Sequence, residues 1–356
     1  MKVLSRYIVF EVLKGAVITQ IILLTLFNLF TFTDELKHLG EGYYGINEIL
    51  YYLLLTSPGV FYELFPASAL LGSLFVLGSM GNNRELIAMR AAGLSIFGII
   101  KAVMLAGCFL VGITLIVGEF IAPGSQRAAH MLRVSAQAGQ SITSSEQGVW
   151  FREGKTFINI KKVLGDGDLA DLVIYELDDN GHLHKTTHVD QALFLGNQEW
   201  KLNHVVSSEI SIEQMTSINI DGQLWKSSIA PNLLKIVTVL PNNLSMVDLA
   251  GYISFLKTNH QKSHVYELAF WGRVVNPLVT FIMLLLATPF VIGIKRGVSV
   301  GERMMIGVII GMGFNILDKT VGHLGLIYDM NPALMAFAPS FVVLLLALYF
   351  LKRTQA

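Results

Sequence analysis

Six long apolar stretches, three on each side of a polar block, constrain this chain more than any other feature of its sequence. The charge-free runs cover 15–33, 64–83, 102–118, 274–294, 304–317 and 330–351. Backbone groups in hydrocarbon must be satisfied internally, so only helices and closed barrels span membranes, and runs this continuously apolar read as helices. A helix needs about 20 apolar residues to cross roughly 30 Å of hydrocarbon. The third and fifth runs fall short, which predicts that their helices take in the flanks 96–100 and 320–326. Charged residues make up 15% of the chain, against about 25% in soluble domains, so the bilayer is the expected solvent for much of it.

The chain's formal net charge is zero, which gives no electrostatic footprint for nucleic acid. The single cysteine, Cys108, lies inside an apolar run; it rules out an intrachain disulfide and reads as a small packing residue. The first apolar run lacks a small-residue cleavage site, so it reads as a retained span rather than a removed signal.

Basic residues set the orientation. Lys2, Arg6, Arg84, Arg90, Lys295, Arg296, Arg303, Lys352 and Arg353 share one side, whereas Lys37 and Lys319 stand opposite, beside Asp34, Glu35, Glu41, Glu48, Asp318 and Asp329. The positive-inside rule puts both termini in the cytoplasm and the central block outside, which in a Gram-negative cell means the periplasm. The second trio then runs antiparallel to the first, and no sequence repeat relates them.

From about 136 to 241 the pattern changes to short alternating runs. Val149-Trp150-Phe151-Arg152 and Thr156-Phe157-Ile158-Asn159-Ile160 flank a turn at Glu153-Gly154, and Leu172-Val173-Ile174-Tyr175 precedes Asp179-Asn180-Gly181, a strong turn signal. Further strands are predicted over 192–195, 200–206 and 210–212, separated by Gly196-Asn197 and Ser207-Ser208. This spacing suggests a sandwich or open β-roll. Ser245-Met246-Val247-Asp248 resembles a capping box opening an amphipathic helix with Met246, Leu249, Ile253 and Leu256 along one side. The expected fold is an α-helical membrane protein with six transmembrane helices, three and three, and an inserted periplasmic all-β domain. Its expected parts are 1–135, 136–244 and 245–356, the last opening with the amphipathic helix.

Several motifs fail on inspection. Gly154-Lys155-Thr156 ends like a P-loop, but Val149 stands where the first glycine belongs and the segment lies in a hairpin rather than before a helix. His182, His184 and His188 cluster near a turn without a carboxylate or Cys at ligand spacing, so an exposed loop is expected and no metal site. No Ser/His/Asp or HExxH arrangement is present, and no catalytic residues are assigned. Glu11, Lys14, Glu63, Lys101, Glu267 and Arg273 sit near span ends, where snorkelling accounts for them. No ionisable residue lies in the middle of a run, which argues against an ion-coupled transporter.

The loop at 82–93 carries the most information. It reads as a capped helix, with Asn83 as N-cap, Glu85 complementing the dipole and Gly93 ending it. Leu86, Ile87, Met89 and Arg90 offer apolar and charged contacts. Such a helix either rests on the membrane surface or couples to a cytoplasmic motor.

Over nearly its full length the chain resembles the LptF/LptG permease family of the lipopolysaccharide exporter, nearer to its LptG branch. The likeness rests on the three-plus-three plan, on Arg84-Glu85-Leu86 and Met89 in the loop helix, on Gly118-Glu119-Phe120-Ile121-Ala122-Pro123 leaving span three, and on Gln147-Gly148-Val149-Trp150 opening the β-domain. The resemblance implies a jellyroll-like β-domain and a complex with an LptF-like permease, a dimeric LptB ATPase, LptC and periplasmic LptA. It implies that lipopolysaccharide leaves the outer leaflet of the inner membrane for a β-jellyroll bridge. ATP and Mg would be bound by LptB, with no cofactor in this chain. Carried over residue by residue, Arg84, Glu85, Leu86, Met89 and Arg90 would dock the ATPase, Glu85 pairing with one of its arginines. Phe27, Leu29, Phe30, Phe65, Leu70, Leu71, Phe314 and Leu317 would line a lipid cavity, and Lys37, His38 and Lys319 would meet the phosphorylated headgroup. Where the family often has further lysines near the end of span one, this chain has Thr31 and His38. The competing readings are an ABC permease for another amphipath, such as a lipoprotein or phospholipid, and a non-transporting membrane scaffold.

Overall fold

The computed structural model describes residues 2–137, 144–164, 168–178, 181–196, 199–210, 215–227, 229, 241–292 and 300–355. The chain divides into two compact units. One comprises Met1–Lys37, Leu53–Ala128 and His264–Ala356; the other comprises His38–Tyr52 and Ala129–Ser263.

The first unit is helical. Its elements are α1 (Lys2–Glu35), α2 (Ile46–Asn82), α3 (Glu85–Ala91) and α4 (Ile96–Ile116), then a π-helical turn (Val117–Ile121) leading into α5 (Ala122–Gln137). After the β-rich block come α6 (Met246–Thr258), which belongs to the second unit together with α2 up to Tyr52 and α5 from Ala129, and then α7 (His264–Ile292), α8 (Val300–Ile327) and α9 (Pro332–Gln355) of the first. Among the described residues six stretches are long and apolar enough to cross a membrane: Val3–His38, Ile46–Asn82, Ile96–Arg133, His264–Val291, Gly301–Ile327 and Pro332–Lys352. The third and fifth take in the flanks that the short apolar runs required, because helix continuation keeps every backbone group bonded.

The helices pack through one apolar cluster that includes Ile8, Val12, Leu70, Leu74, Val103, Leu110, Met283 and Leu284. Helices α1 and α2 cross at Gly15 and Gly72, where a Cβ on Gly72 would fall on the backbone of Gly15 and Ala16. Between lipid-solvated helices such close approach at small residues supplies packing that the hydrophobic effect cannot. Beyond the crossing, Gln20 Nε2 donates to the Phe61 carbonyl at 3.1 Å and Asn28 Nδ2 to Ser57 Oγ at 3.0 Å. Cys108 does not pack inside: it faces outward from α4, because the inward face of that helix is filled by Val103, Ala106 and Leu110.

Among its described residues the second unit holds an antiparallel sheet of seven strands: β1 (Ser144–Glu153), β2 (Thr156–Val163), β3 (Leu169–Leu177), β4 (Leu183–Gly196), β5 (Glu199–Ile210), β6 (Met215–Ile220) and β7 (Gln223–Lys226). Strands β1 to β6 pair in sequence order, and β7 returns to pair with the first part of β5. The described strands form a sequential meander in one sheet. One face buries Ile158, Ile160, Leu172, Ile174, Val189, Trp200 and Leu202 in a single cluster, and the Trp200 indole donates to the Ile229 carbonyl at 3.0 Å.

The hairpin at Gly154-Lys155 forms as the sequence predicts, with Gly154 at φ +62°. The Asp179-Asn180 part of the next turn, Asn197 and Ile212 lie outside the described residues. Ser207 and Ser208 do not separate two strands. Both are buried inside a continuous β5, where Ser208 Oγ meets Ser217 Oγ at 2.8 Å, so paired hydroxyls replace the turn their composition suggested. His184 and His188 likewise lie in strand β4 rather than in a loop. Gly148 adopts φ +64° where the β1–β2 register shifts, with the Asn159 side chain occupying the place of a Cβ. That bulge is a physical reason for a glycine there.

Helix α6 groups with this unit, not with the following spans as the boundary at 244 assumed. Ser245 Oγ accepts from the Asp248 amide at 3.2 Å, which is the expected cap. The helix buries Leu249, Tyr252 and Leu256, and Phe255 packs against the sheet's core.

Candidate functional site

Two polar features organise the helical unit, one at the C-terminal end of α2 and one around its middle. The first is the elbow between α2 and α4. Helix α2 ends at Asn82, and Arg84 turns the chain with φ +63°. Arg84, not Asn83, therefore occupies the N-cap position of α3, and it makes no side-chain cap. Asn83 is still closing α2, its amide bonded to the Ser79 carbonyl at 2.9 Å, while its side chain reaches Glu85 Oε1 at 3.5 Å. Gly93 ends α3 at φ +93° as expected, and the Leu94 amide closes on the Met89 carbonyl at 3.0 Å.

The elbow has an inward and an outward face. Leu86 and Met89 are buried in the helical core, whereas Arg84, Ile87 and Arg90 are exposed. Of the proposed docking residues, Leu86 and Met89 thus anchor α3 to the bundle, while Arg84, Arg90 and Ile87 can meet a partner. Glu85 is half-buried and accepts from the Tyr7 hydroxyl of α1 at 3.1 Å. Arg303 of α8 reaches the same region: it is buried, and its Nη1 donates to the Gly78 carbonyl at 3.2 Å. Gly78 and Gly81 leave the room this guanidinium occupies, and Gly81 also abuts Leu86. Helices α1, α2, α3 and α8 therefore meet within a few residues.

The second feature is a knot joining α2, α7 and the π-helical turn. Proline has no amide hydrogen, so each proline inside a helix frees the carbonyl four residues before it. Pro66 frees that of Tyr62, which accepts from Asn276 Nδ2 at 3.3 Å. Pro277 frees that of Arg273, which accepts from the Tyr62 hydroxyl at 3.3 Å. In the π turn the Ala122 amide bonds to Val117, five residues back, and the next residue is Pro123, so the Gly118 carbonyl has no helical donor. Arg273 Nη1 supplies one at 2.9 Å and also pairs with Glu119 Oε1 at 3.0 Å.

The Arg273 guanidinium lies over the Tyr62 ring, 5.5 Å from its centroid, and that ring fills the place where a Gly118 side chain would stand. Arg273 is 6% exposed. It does not snorkel, because a carbonyl, a carboxylate and an aromatic face hold its charge inside. Glu11 and Lys14 pair with each other at 2.8 Å. The motif Gly118-Glu119-Phe120-Ile121-Ala122-Pro123 supplies the glycine, the carboxylate and the proline of this knot. The knot escaped the sequence reading; Pro66 and Pro277, each an interruption of helical hydrogen bonding, are the local signal for it, and nothing local names their partners.

The proposed lipid-cavity residues separate into two groups. Phe65, Leu70 and Leu71 are buried within this chain's own core, so they brace α2 rather than face a ligand. Phe27, Leu29, Phe30 and Leu317 are exposed, and Phe314 packs partly against the core. The apolar window of α8 is 6% buried within the chain, against 72% for α2, so α8 needs lipid or protein from outside. Of the proposed headgroup cations, Lys37 pairs with Asp34 at 2.6 Å and the His38 ring lies 3.0 Å from Glu41. Lys319 is exposed on α8, within electrostatic range of Glu63.

Six apolar spans divided three and three by an antiparallel β-roll, with a short helix in the loop between spans two and three, define a multi-pass membrane protein with an all-β insertion. Comparison with known proteins supplies the family. The family described as lipopolysaccharide export system permease LptF/LptG matches residues 6–353. The chain is 32% identical over 353 residues to the lipopolysaccharide export system permease protein LptG of Escherichia coli K12, covering 99% of this chain and 98% of that protein. LptG of Haemophilus influenzae is likewise 32% identical over 353 residues, with 99% of each chain covered. LptF of E. coli K12 is 26% identical over 182 residues, 51% of this chain and 50% of that one. The chain belongs to the LptF/LptG family.

Proposed function

We propose that this chain is a permease subunit of a lipopolysaccharide exporter, working beside an LptF-like subunit. The observation that carries the proposal is its end-to-end match with proteins named for that export system. Lipopolysaccharide would enter from the outer leaflet of the inner membrane and pass toward periplasmic β-domains of LptC and LptA. Apolar residues exposed on α1 and α8, among them Phe27, Phe30 and Leu317, suit acyl chains, each buried CH₂ contributing about 0.8 kcal/mol. Lys37, His38 and Lys319 would face the phosphorylated sugars.

ATP hydrolysis belongs in this reading to a dimeric LptB that holds ATP and Mg and docks on α3. The exposed Arg84, Ile87 and Arg90 offer the contact, and Glu85 ties the docked helix to α1 through Tyr7. Leu86, Met89 and the Arg303 link to α2 would pass movement of α3 into the spans. The positive-inside pattern supports cytoplasmic termini and a periplasmic β-unit.

The test is purification of the chain with its native partners in detergent, followed by identification of proteins and lipids. An ATPase and co-eluting lipopolysaccharide support the reading. An ATPase with another lipid transfers the permease role to a different amphipath, and a complex without any ATPase points to a scaffold.

A further inference from the structure

The first turns of α1 and α4 enclose a cavity of about 600 Å³, inside the range of about 300–1,000 Å³ typical of small-ligand pockets. Its length is apolar, walled by Phe10, Leu13, Leu105 and Phe109, and one end carries Arg6 and Lys101. Phe10, Leu105 and Phe109 are all exposed, so the cavity is a groove open to the hydrocarbon side of the helices. The other nearby charges, Glu11 and Lys14, neutralise each other at 2.8 Å. Among the described residues neither Arg6 nor Lys101 has an ion-pair or hydrogen-bond partner. Gly98 lines the same end, in the first turn of α4, where the helix dipole favours an anion.

We infer that this groove binds one anionic phospholipid from the leaflet on the α3 side of the membrane, its phosphate between Arg6 and Lys101 and an acyl chain along Phe10, Leu105 and Phe109. Under the orientation proposed above, that is the cytoplasmic leaflet. Charge complementarity selects the occupant. Two unpartnered cations at one end of an apolar groove oppose a partner's apolar helix, which would leave both charges unmet. They suit a molecule with a phosphate at one end and hydrocarbon at the other. The dimensions agree: from Arg6 to Leu13 and from Lys101 to Phe109 the helices rise about 10–12 Å, most of the roughly 15 Å half-thickness of a bilayer's hydrocarbon core. Because Leu94, which follows α3 directly, also lines the groove, a bound lipid would brace the elbow.

The experiment places the photo-crosslinker benzoylphenylalanine at Leu105 in the full-length chain, irradiates native membranes, and weighs the adduct. A two-chain anionic phospholipid is expected. Each cation near an anionic group strengthens association by about fivefold, so Arg6→Ala with Lys101→Ala should cut adduct yield by more than about tenfold, and Arg6→Lys with Lys101→Arg should restore it. Gly98→Leu, which adds a side chain in the groove and keeps both charges, should also reduce the yield. In nanodiscs of phosphatidylcholine alone the lipid adduct should fall, and adding phosphatidylglycerol should recover it. A protein adduct, a lipopolysaccharide adduct, or a yield indifferent to both cations in chains that elute normally would overturn the site. The readout is bound phospholipid rather than transport, so the groove and the export role can each fail without the other.

Discussion

Tyr62, near the middle of α2, and Asn82, at its end, lie about 30 Å apart along the helix axis, and the polar groups around them are built on opposite plans. Around Tyr62 three freed carbonyls each find a donor, and the one charged pair, Arg273 with Glu119, is held at 3.0 Å by buried or half-buried side chains. Around Asn82 the charges of Arg84 and Arg90 face outward and α3 has no side-chain cap, while Arg303 gives the Gly78 carbonyl a second donor. In an apolar interior a network of paired polar groups rigidifies the elements it joins, whereas charges that face outward are open to a partner. The knot holds α2 and α7 against the exit of span three, and the elbow is where an outside partner can move something.

The contrast breaks first at Arg273. Arg273→Ala strands the Glu119 carboxylate and the Gly118 carbonyl, and removing one member of a buried pair costs about 3–5 kcal/mol. Thermal unfolding in detergent should show a large loss of stability, and an unchanged midpoint would remove the knot's structural role. Next comes Gly118→Leu, whose side chain must displace the Tyr62 ring. Overpacking of this kind costs about 1–3 kcal/mol, read in the same assay, while co-purification with the proposed ATPase should persist in whatever fraction folds.

At the elbow the signs reverse. If α3 docks the proposed ATPase, Glu85→Ala and Glu85→Arg should leave unfolding nearly unchanged and yet separate that partner's ATP hydrolysis from lipid release. Normal co-purification with the ATPase and normal transport in both variants would sink the docking role. The smallest effect is expected from Lys37→Glu, since Lys37 is already shared with Asp34 on an exposed helix end. It should lower lipopolysaccharide crosslinking near that end without altering stability, and equal crosslinking would dismiss Lys37 as a headgroup contact.

The spans were legible because hydropathy is a local property, and so were the Gly154 hairpin and the Ser245 cap, each set by residues within four positions. The elbow was half legible. Its helix and its Gly93 stop follow from local chemistry, but Asn83 lost the cap because α2 runs straight into the turn and claims its amide. The knot was not legible. Arg273 looked like a snorkelling residue because its acceptors lie more than 150 positions away, and nothing local says which side chain will serve the carbonyl a proline frees. The cavity residues divided for a related reason: hydropathy marks Leu70 and Phe30 as equally apolar, and only packing shows that one is inside the bundle.

The three prolines also make a claim about descent. Each has given a carbonyl away, and a side chain from another helix now serves it: Asn276 for Pro66, Tyr62 for Pro277 and Arg273 for Pro123. A lineage that replaced one of these prolines with an ordinary residue would restore the helical bond and leave the matching donor unemployed, so selection should let that donor drift. Residue 66 should therefore be inherited with 276, 277 with 62, and 123 with 273, as pairs that come and go together.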